Sequence, residues 1–219
     1  NRNAKRKRPN DVLVSWEIFL KELKRKKGHK KATLIMHTEP TDNEGPNLFR
    51  TSEMLGIQEN VFFSRDRLEF EKINVLYNIS DFCLNVSYAE GFGLSTLESM
   101  MTGTPIIAAK TGGLTKQVCN SIEGGENGVA LNIDIKSLVG SQSVPYIYED
   151  YVKNENIAKG IMKLYNLPKH KYKKLSSKAL RYAKNQFGHQ KTVDLWHETM
   201  IGALKNFKNN KNKWTITEY

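Results

Sequence analysis

The stretch that decides the fold runs from Ala89 to Gly113 and reads AEGFGLSTLESMMTGTPIIAAKTGG. A Gly-Phe-Gly turn at residues 91–93 opens an amphipathic helix, which stops at Met101-Thr102-Gly103. Pro105 then leads into an apolar run, Ile106 to Ala109, of the kind that forms a buried strand. A Gly-Gly turn closes the unit, so the stretch predicts a loop, a helix and a strand in succession.

The start of this helix predicts a phosphate site. The first backbone N–H groups of a helix, here those of Leu94, Ser95 and Thr96, have no carbonyl partner within the helix and point outward. Together with the positive end of the helix dipole, they favour a bound anion. Gly91 and Gly93 would let a bulky ligand approach the backbone closely, because neither carries a side chain.

Two glutamates, Glu90 and Glu98, flank the predicted phosphate site. A carboxylate is badly placed beside a diphosphate, so we interpret both as acceptors for sugar hydroxyls. Ser95 and Glu98 are three residues apart and share one helix face, which favours this interpretation. Structural alternatives stay open: solvated carboxylates at both glutamates, and local backbone hydrogen bonds for Ser95 and Thr96. The unit therefore predicts a pocket for a nucleotide joined to a sugar.

Strands and helices alternate along the chain up to residue 132. The predicted strands cover residues 32–37, 61–63, 82–86, 106–109 and 128–132. Helices are predicted from Asn10 or Asp11, either of which suits an N-cap, to Gly28, and over residues 48–55 and 68–79. Such alternation predicts an α/β fold, a doubly wound Rossmann-like parallel sheet with helices on both faces. Ligands bind at the carboxyl ends of such strands, and Glu90 lies just past one.

The remaining third of the chain predicts a helical tail. Residues 135–154 break the rhythm and are interpreted as a long loop or lid, in which Tyr146, Tyr148 and Tyr151 are packing residues rather than a stacking platform. Helices follow over residues 156–166, 168–187 and 189–207, and Trp214 is the one core-forming residue after Lys208. We expect residues 1–155 to form the nucleotide-sugar-binding domain and residues 156–219 to pack on it.

Composition leaves several partner classes open. The 219 residues carry a formal net charge of +11, concentrated in residues 2–8, 21–31 and 205–213. Such basic runs attract nucleic acid, an anionic membrane surface or a diphosphate ligand, and charge alone does not choose among them. Two cysteines, Cys83 and Cys119, form a poor disulfide framework and favour reduced core thiols in a cytoplasmic protein. No apolar run approaches the ~20 residues of a membrane-spanning helix.

The run from Ile79 to Gly113 resembles the C-terminal, donor-binding domain of the GT-B glycosyltransferases of family GT4. The family signature is two glutamates with seven residues between them, here Glu90 and Glu98. The family also carries an arginine and, five residues on, a lysine after its first strand, and Arg2 and Lys7 have that spacing. Two departures exist: Asn1 replaces the usual glycine, and the neighbouring arginines leave the identity of the phosphate lysine ambiguous.

The resemblance implies a role for each matching residue. Arg2 and Lys7 would hold the diphosphate of the donor and stabilise charge on the leaving nucleotide, and Glu90 would bind the transferred sugar. Glu98 would bind the ribose, and the base would lie against Ser64 and Arg65. The implied donor contacts are Glu98, Gly91, Phe92, Gly93, Leu94, Ser95, Thr96, Ser64 and Arg65. Such enzymes retain anomeric configuration and need no metal, and the chain has no Asp-x-Asp metal motif.

Three functions are compatible with these patterns. The first, which we adopt, is the donor-binding half of a retaining glycosyltransferase that uses a nucleotide-diphosphate sugar. The others are a catalytically inactive nucleotide-sugar-binding or scaffold domain and a basic nucleic-acid-binding domain. The resemblance also implies a strand before Asn1 in the middle of the sheet and an N-terminal acceptor domain, in cis or in trans. We therefore expect this chain alone to be inactive in transfer.

Overall fold

Five short strands form the parallel part of the fold in the computed structural model, which describes residues 2–209. They are β1 Leu34–His37, β2 Val61–Ser64, β3 Cys83–Asn85, β4 Ile106–Ala109 and β5 Gly128–Leu131. β1 and β2 pair in parallel, and β3, β4 and β5 form a second parallel set in that order. Each lies within two residues of its predicted bounds, so the predicted parallel strands are confirmed.

Eight α-helices connect and follow the strands within the described residues. They are α1 Pro9–Lys27, α2 Leu48–Met54, α3 Phe70–Ile79, α4 Leu94–Met101, α5 Gly112–Val118, α6 Asn154–Tyr165, α7 Lys169–Phe187 and α8 His189–Asn209. α5 was not predicted: the two glycines interpreted as a closing turn are its first two residues. Within residues 2–209, no helix is both long enough and apolar enough to cross a membrane. Trp214 lies outside the described residues.

β4 lies between two hydrophobic layers, and its side chains alternate between them. Ile107 and Ala109 belong to the cluster that includes α1 and α6, whereas Ile106 and Ala108 belong to the cluster that includes α4, α5 and α7. All four side chains are fully buried. A strand that is apolar on both faces requires cover on both faces, so the predicted helices on the two sides of the sheet are confirmed.

The first helix begins earlier than predicted. Neither Asn10 nor Asp11 caps it, because Pro9 is its first residue and Arg8 precedes it in the left-handed conformation, with φ 54°. Proline suits this position, since the first N–H of a helix has no partner within it. The acidic Asp11 falls in the first turn, where it pairs with Arg8 at 3.0 Å. The predicted end at Gly28 is confirmed, with φ 76°.

Residues 135–154 are not a loop. Residues 135–151 form an antiparallel hairpin of β6 Ile135–Val139 and β7 Ile147–Tyr151, and Asn154 begins α6. The period-two pattern of these strands is weak because apolar residues are exposed on both of them, and for this reason the prediction was wrong. Tyr151 packs on Tyr88 with ring centroids 4.4 Å apart, and the N–H of Asp150 donates to the Tyr88 carbonyl at 2.9 Å. The hairpin is therefore attached to the loop that follows β3.

Candidate functional site

The loop after β3 brings one carboxylate and two cations together at the carboxyl end of the sheet. Glu90 accepts a hydrogen bond from the ammonium group of Lys7. The guanidinium of Arg6 lies 3.5 Å from the same carboxylate oxygen and donates to the carbonyl of Ala89 at 2.7 Å. The Lys7 and Glu90 side chains are 15% and 12% exposed, so this pair is largely screened from water. Two predicted residues, Lys7 and Glu90, are thus in direct contact.

The amino end of α5 packs against the Glu90 loop. The N–H of Gly113 donates to the carbonyl of Glu90 at 2.9 Å. A Cβ atom at Gly113 would collide with the backbone of Gly91, and one at Gly112 with the backbone of Glu90. Gln117 donates to the carbonyl of Phe92 at 2.6 Å. Gly112 and Gly113 are therefore needed, because they let the backbone at the start of α5 approach the backbone of Glu90 and Gly91 closely. This approach positions the Glu90 loop.

Gly93 sets the direction of α4. Its φ of 88° is a left-handed conformation that favours glycine, and a Cβ atom there would also collide with Leu114. The first bond of the helix runs from the N–H of Leu97 to the Gly93 carbonyl at 3.1 Å, so the N–H groups of residues 94–96 precede it. Gly91, in contrast, has open space where a Cβ would lie. Phe92 is 43% exposed and contacts the ring of Phe187 edge-on.

The hydroxyl of Thr96 bonds to the loop before α4 and to α5. It donates to the Gly93 carbonyl at 2.8 Å and contacts Gln117 Oε1 at 2.5 Å, and the residue is fully buried. This is the local bonding that the sequence left open as an alternative. The predicted phosphate contact of Thr96 through its backbone N–H stays a prediction.

Glu98 has a hydrogen-bond donor that the sequence did not reveal. The hydroxyl of Tyr77, on α3, donates to the Glu98 carboxylate at 2.8 Å. Burial, together with the nearby Cys83 thiol and Glu98 itself, raises the pKa of Tyr77 far above its ordinary value. Tyr77 therefore keeps its proton at neutral pH and holds one oxygen of Glu98 in place. Helical spacing indicates only that Tyr77 shares a side of α3 with Ile73, and it gives no sign of this bond.

Three further predicted residues, Arg2, Ser64 and Arg65, contact residues other than Glu90. Arg2 pairs with Asp42 at 3.0 Å and with Glu44 at 3.2 Å, so it is held by the loop after β1 rather than by Glu90. Ser64 Oγ lies 3.0 Å from His37 Nδ1 at the ends of β2 and β1. Arg65 is 57% exposed and lies 3.7 Å from the Glu39 carboxylate.

The three neighbouring cations, Arg6, Lys7 and Arg8, make separate contacts. Arg6 and Lys7 both reach Glu90, whereas Arg8 turns away from it. Arg8 is 5% exposed, and its guanidinium lies 5.2 Å from the ring centre of Tyr88 and 5.4 Å from that of Tyr151. Arg8 therefore joins the hairpin to the loop after β3, and Arg6 lies beside Lys7 at Glu90. The diphosphate role that the resemblance implies for Arg2 stays a prediction.

The long basic run of α1 lies far from this site. α1 starts beside Tyr88, at the carboxyl end of β3, and its last residue is followed by Gly28, ahead of the amino end of β1. The cations of residues 21–31 therefore lie towards the amino ends of the strands. Lys169 and its basic neighbours lie at that end too, since the Tyr172 hydroxyl donates to the carbonyl of Asp81, just before β3. These charges do not contribute contacts to Glu90.

A family profile and two kinds of relative match this chain. The profile described as Glycosyl transferases group 1 matches residues 16–186. A D-inositol 3-phosphate glycosyltransferase of Mycolicibacterium smegmatis is 36% identical over 77 residues, which are 35% of this chain and 18% of that protein. One of Corynebacterium jeikeium is 37% identical over 90 residues, which are 41% of this chain and 20% of that protein. The matched part thus spans about a fifth of the length of these relatives.

Solved structures share the fold. The C-terminal domain of a group 1 glycosyl transferase from Francisella tularensis superposes with a TM-score of 0.63 at 18% identity, over 86% of this chain and 83% of that one. The Anabaena protein HepE, solved in complex with UDP-glucose, superposes with a TM-score of 0.67 at 19% identity, over 92% of this chain and 47% of that one. Because the profile covers most of the chain and the fold agrees with it, the chain belongs to the glycosyl transferases group 1 family.

Proposed function

We propose that this chain is the donor-binding domain of a retaining, metal-independent hexosyltransferase of the GT4 type, which takes its sugar from a nucleotide-diphosphate donor. The observation that carries the proposal is the contact of Lys7 and Arg6 with Glu90 beside the amino end of α4. HepE, which has the same fold, is described in complex with UDP-glucose. The group 1 relatives are named as glycosyltransferases.

The diphosphate would lie between the amino end of α4 and the two cations. Arg6 and Lys7 together carry one positive charge more than the single carboxylate of Glu90 neutralises. The N–H groups at the start of α4 add partial positive charge that points the same way. Charge that develops on the leaving nucleotide would be stabilised by these fixed donors, which is the work a metal does in other transferases.

The two glutamates would bind the two sugars of the donor. Glu90 would accept hydroxyls of the transferred sugar, close to the carbon at which the glycosidic bond breaks. Glu98 would accept ribose hydroxyls, with its orientation fixed by the bond from Tyr77. The base would lie near the ends of β1 and β2, where His37 and Ser64 contact each other.

A binding measurement on charge variants tests this proposal. Titration calorimetry with UDP, GDP and ADP, and with their sugars, should find one nucleoside diphosphate that saturates. Lys7→Met should weaken its binding about tenfold or more, because a hydrogen bond to a charged group contributes about 1.5–3 kcal/mol. Lys24→Met removes an exposed lysine at the far end of α1 and serves as the matched control. Equal affinities of both variants, or no saturable binding of any diphosphate, would contradict the proposal.

A further inference from the structure

An open pocket of about 330 Å³ lies between the end of α6 and the first half of α7. Gly128, the first residue of β5, lines it, so the pocket is at the amino end of that strand. Glu90 follows the carboxyl end of β3, and β3 and β5 are both parallel to β4. The pocket and the proposed donor site therefore lie at opposite ends of the strands.

The pocket has an excess of positive charge. Four lysines line it, and we call it the lysine pocket: Lys163, Lys171, Lys174 and Lys178. Glu126, in the same lining, lies 3.6 Å from the ammonium of Lys163, and Lys178 donates to the neutral carbonyl of Gly124. Within residues 2–209, the ammonium groups of Lys171 and Lys174 have neither an ion pair nor a hydrogen bond. Three of the four charges therefore lack a carboxylate.

The sequence of α7 does not balance these charges. Lys171, Lys174 and Lys178 share one helix face, because three and four residues separate them. Like charges at this spacing repel each other and destabilise a helix. The 19 residues of α7 include no aspartate or glutamate that could offset the repulsion. An anion bound in the lysine pocket would offset it, so the arrangement favours a negatively charged ligand.

Apolar side chains among the lysines narrow the kind of anion. Leu164, Leu167 and Leu175 line the same pocket, and the last two are only partly buried. A lysine can lay its methylene stem on such an apolar surface and keep its ammonium group in water. Anionic headgroups above apolar chains are found at the surface of a membrane, where basic and apolar side chains bind together. The composition of the pocket therefore matches an anionic lipid.

The same composition argues against nucleic acid. Proteins bind single strands through aromatic side chains on which the bases stack, and they read phosphates with the planar fork of arginine. Among the described residues that line the lysine pocket, none is aromatic and none is arginine. The two tyrosines nearby are engaged elsewhere: Tyr172 donates to the carbonyl of Asp81, and the ring of Tyr165 packs edge-on against Phe19.

Further basic residues extend this surface. Lys169, His170 and Lys173 of α7 are exposed next to the pocket. At the end of α1, residues 24–27 are exposed cations that lie towards the same ends of the strands. Attraction to an anionic membrane increases with the number of basic residues close to its surface. The lysine pocket is thus part of a wider basic surface.

We propose that the lysine pocket binds a headgroup of an anionic phospholipid membrane, with the basic ends of α1 and α7 as the surrounding contact surface. The lipid phosphate lies among Lys171, Lys174 and Lys178, and the apolar part next to it contacts Leu167 and Leu175. The carboxyl ends of the strands then face away from the membrane. This inference does not depend on the proposed function, because it concerns the opposite end of the sheet.

Co-sedimentation of the chain with vesicles tests the proposal. The chain should bind vesicles of phosphatidylcholine mixed with phosphatidylglycerol, and not vesicles of phosphatidylcholine alone. Lys171→Gln combined with Lys174→Gln should weaken this binding about tenfold or more, since one basic residue near an anionic surface contributes roughly a fivefold factor. No binding of the mixed vesicles would overturn the proposal.

A matched control removes the same charge from the other end of the sheet. Lys110 follows the carboxyl end of β4, and Lys184 lies one turn before Phe187, which contacts Phe92. Both lysines are exposed. Lys110→Gln combined with Lys184→Gln should leave vesicle binding nearly unchanged. Equal losses in the two double variants would show attraction by net charge alone and would overturn the proposal.

Lysine acetylation locates the contact on the unaltered chain. With the mixed vesicles present, Lys171 and Lys174 should react with acetic anhydride several-fold more slowly, while Lys110 and Lys184 react as before. Equal protection of all four would refute the location. Two further results would also overturn the proposal: the same protection by a single-stranded oligonucleotide that binds more tightly than the vesicles, and the same protection by inorganic phosphate without vesicle binding. The first would assign the surface to nucleic acid, and the second to a free anion.

Discussion

Lys7 and Glu90 are 83 positions apart in the sequence, and the ammonium of one contacts the carboxylate of the other. Their contact closes the loop after β3 against the segment that precedes α1. Each side chain is largely removed from water, so the loss of either one leaves a poorly solvated charge behind. This pair therefore links the conformation of the loop to the charge of the proposed diphosphate site.

Replacement of Glu90 should separate binding from turnover. In the complete enzyme, Glu90→Gln should lower kcat/KM by at least a hundredfold, because the proposed contact with the transferred sugar matters most in the transition state. Affinity for the nucleoside diphosphate alone should stay equal or increase, because Lys7 and Arg6 are then free to face the phosphates. Glu71→Gln, on the exposed side of α3, should change neither quantity. Equal losses in diphosphate affinity and turnover would argue against the assigned role.

The glycines of the site should differ sharply in their tolerance of alanine. Gly113→Ala should destabilise the protein by about 1–3 kcal/mol, since its new methyl group meets the backbone of Gly91. Gly91→Ala places its methyl group in open space and should leave stability unchanged, while it weakens nucleotide-sugar binding if the ligand approaches this backbone as proposed. Urea denaturation and calorimetry measure the two effects. Comparable stability losses for both variants would refute the proposed support of the loop by α5.

Tyr77 should influence recognition of the ribose. Tyr77→Phe removes the hydroxyl that orients Glu98, so the preference for UDP over 2′-deoxy-UDP, or for the corresponding pair of the preferred base, should fall several-fold. The basis is the net value of one hydrogen bond, about 0.5–1.5 kcal/mol. Tyr148→Phe, in the hairpin, provides the control. An unchanged preference after Tyr77→Phe would show that Glu98 does not read the ribose through this arrangement.

Arg8 should be needed for stability rather than for binding. Arg8→Lys keeps the charge but loses the planar group between the rings of Tyr88 and Tyr151, and it cannot reproduce the bonds to Asp11 and Val152. We expect a loss of about 1.5–3 kcal/mol in the free energy of unfolding. Arg50→Lys, which alters an exposed pair with Glu53, should cost less than about 1 kcal/mol. A loss no larger than that of the control would contradict the role of Arg8.

The parts of the fold that could be predicted are those with a strong local signal. Ile106–Ala109 is apolar without interruption and is buried on both faces, so its sequence alone specified a central strand. The start of α4 was equally clear, because Gly93 adopts a conformation that few other residues accept. In both cases the decisive information lies within a few neighbouring residues.

The missed features depend on contacts between distant residues. Arg2 and Arg6 are indistinguishable in a basic run, and only the folded chain shows that Asp42 holds one while Glu90 faces the other. The bond from Tyr77 to Glu98 joins two helices and has no local signature. The hairpin was missed because its strands expose apolar residues on both faces and so lack a clear alternation.

The most direct test of a donor site at the start of α4 follows the backbone amide resonances of the chain during titration with UDP, GDP and ADP. We predict that one of these ligands shifts the N–H signals of Leu94, Ser95 and Thr96 most strongly, along with that of Glu90. The shifts should saturate with the affinity measured by calorimetry and be weaker in Lys7→Met. Shifts confined to the basic run of residues 21–31, or spread evenly over the surface, would contradict a donor site at the start of α4.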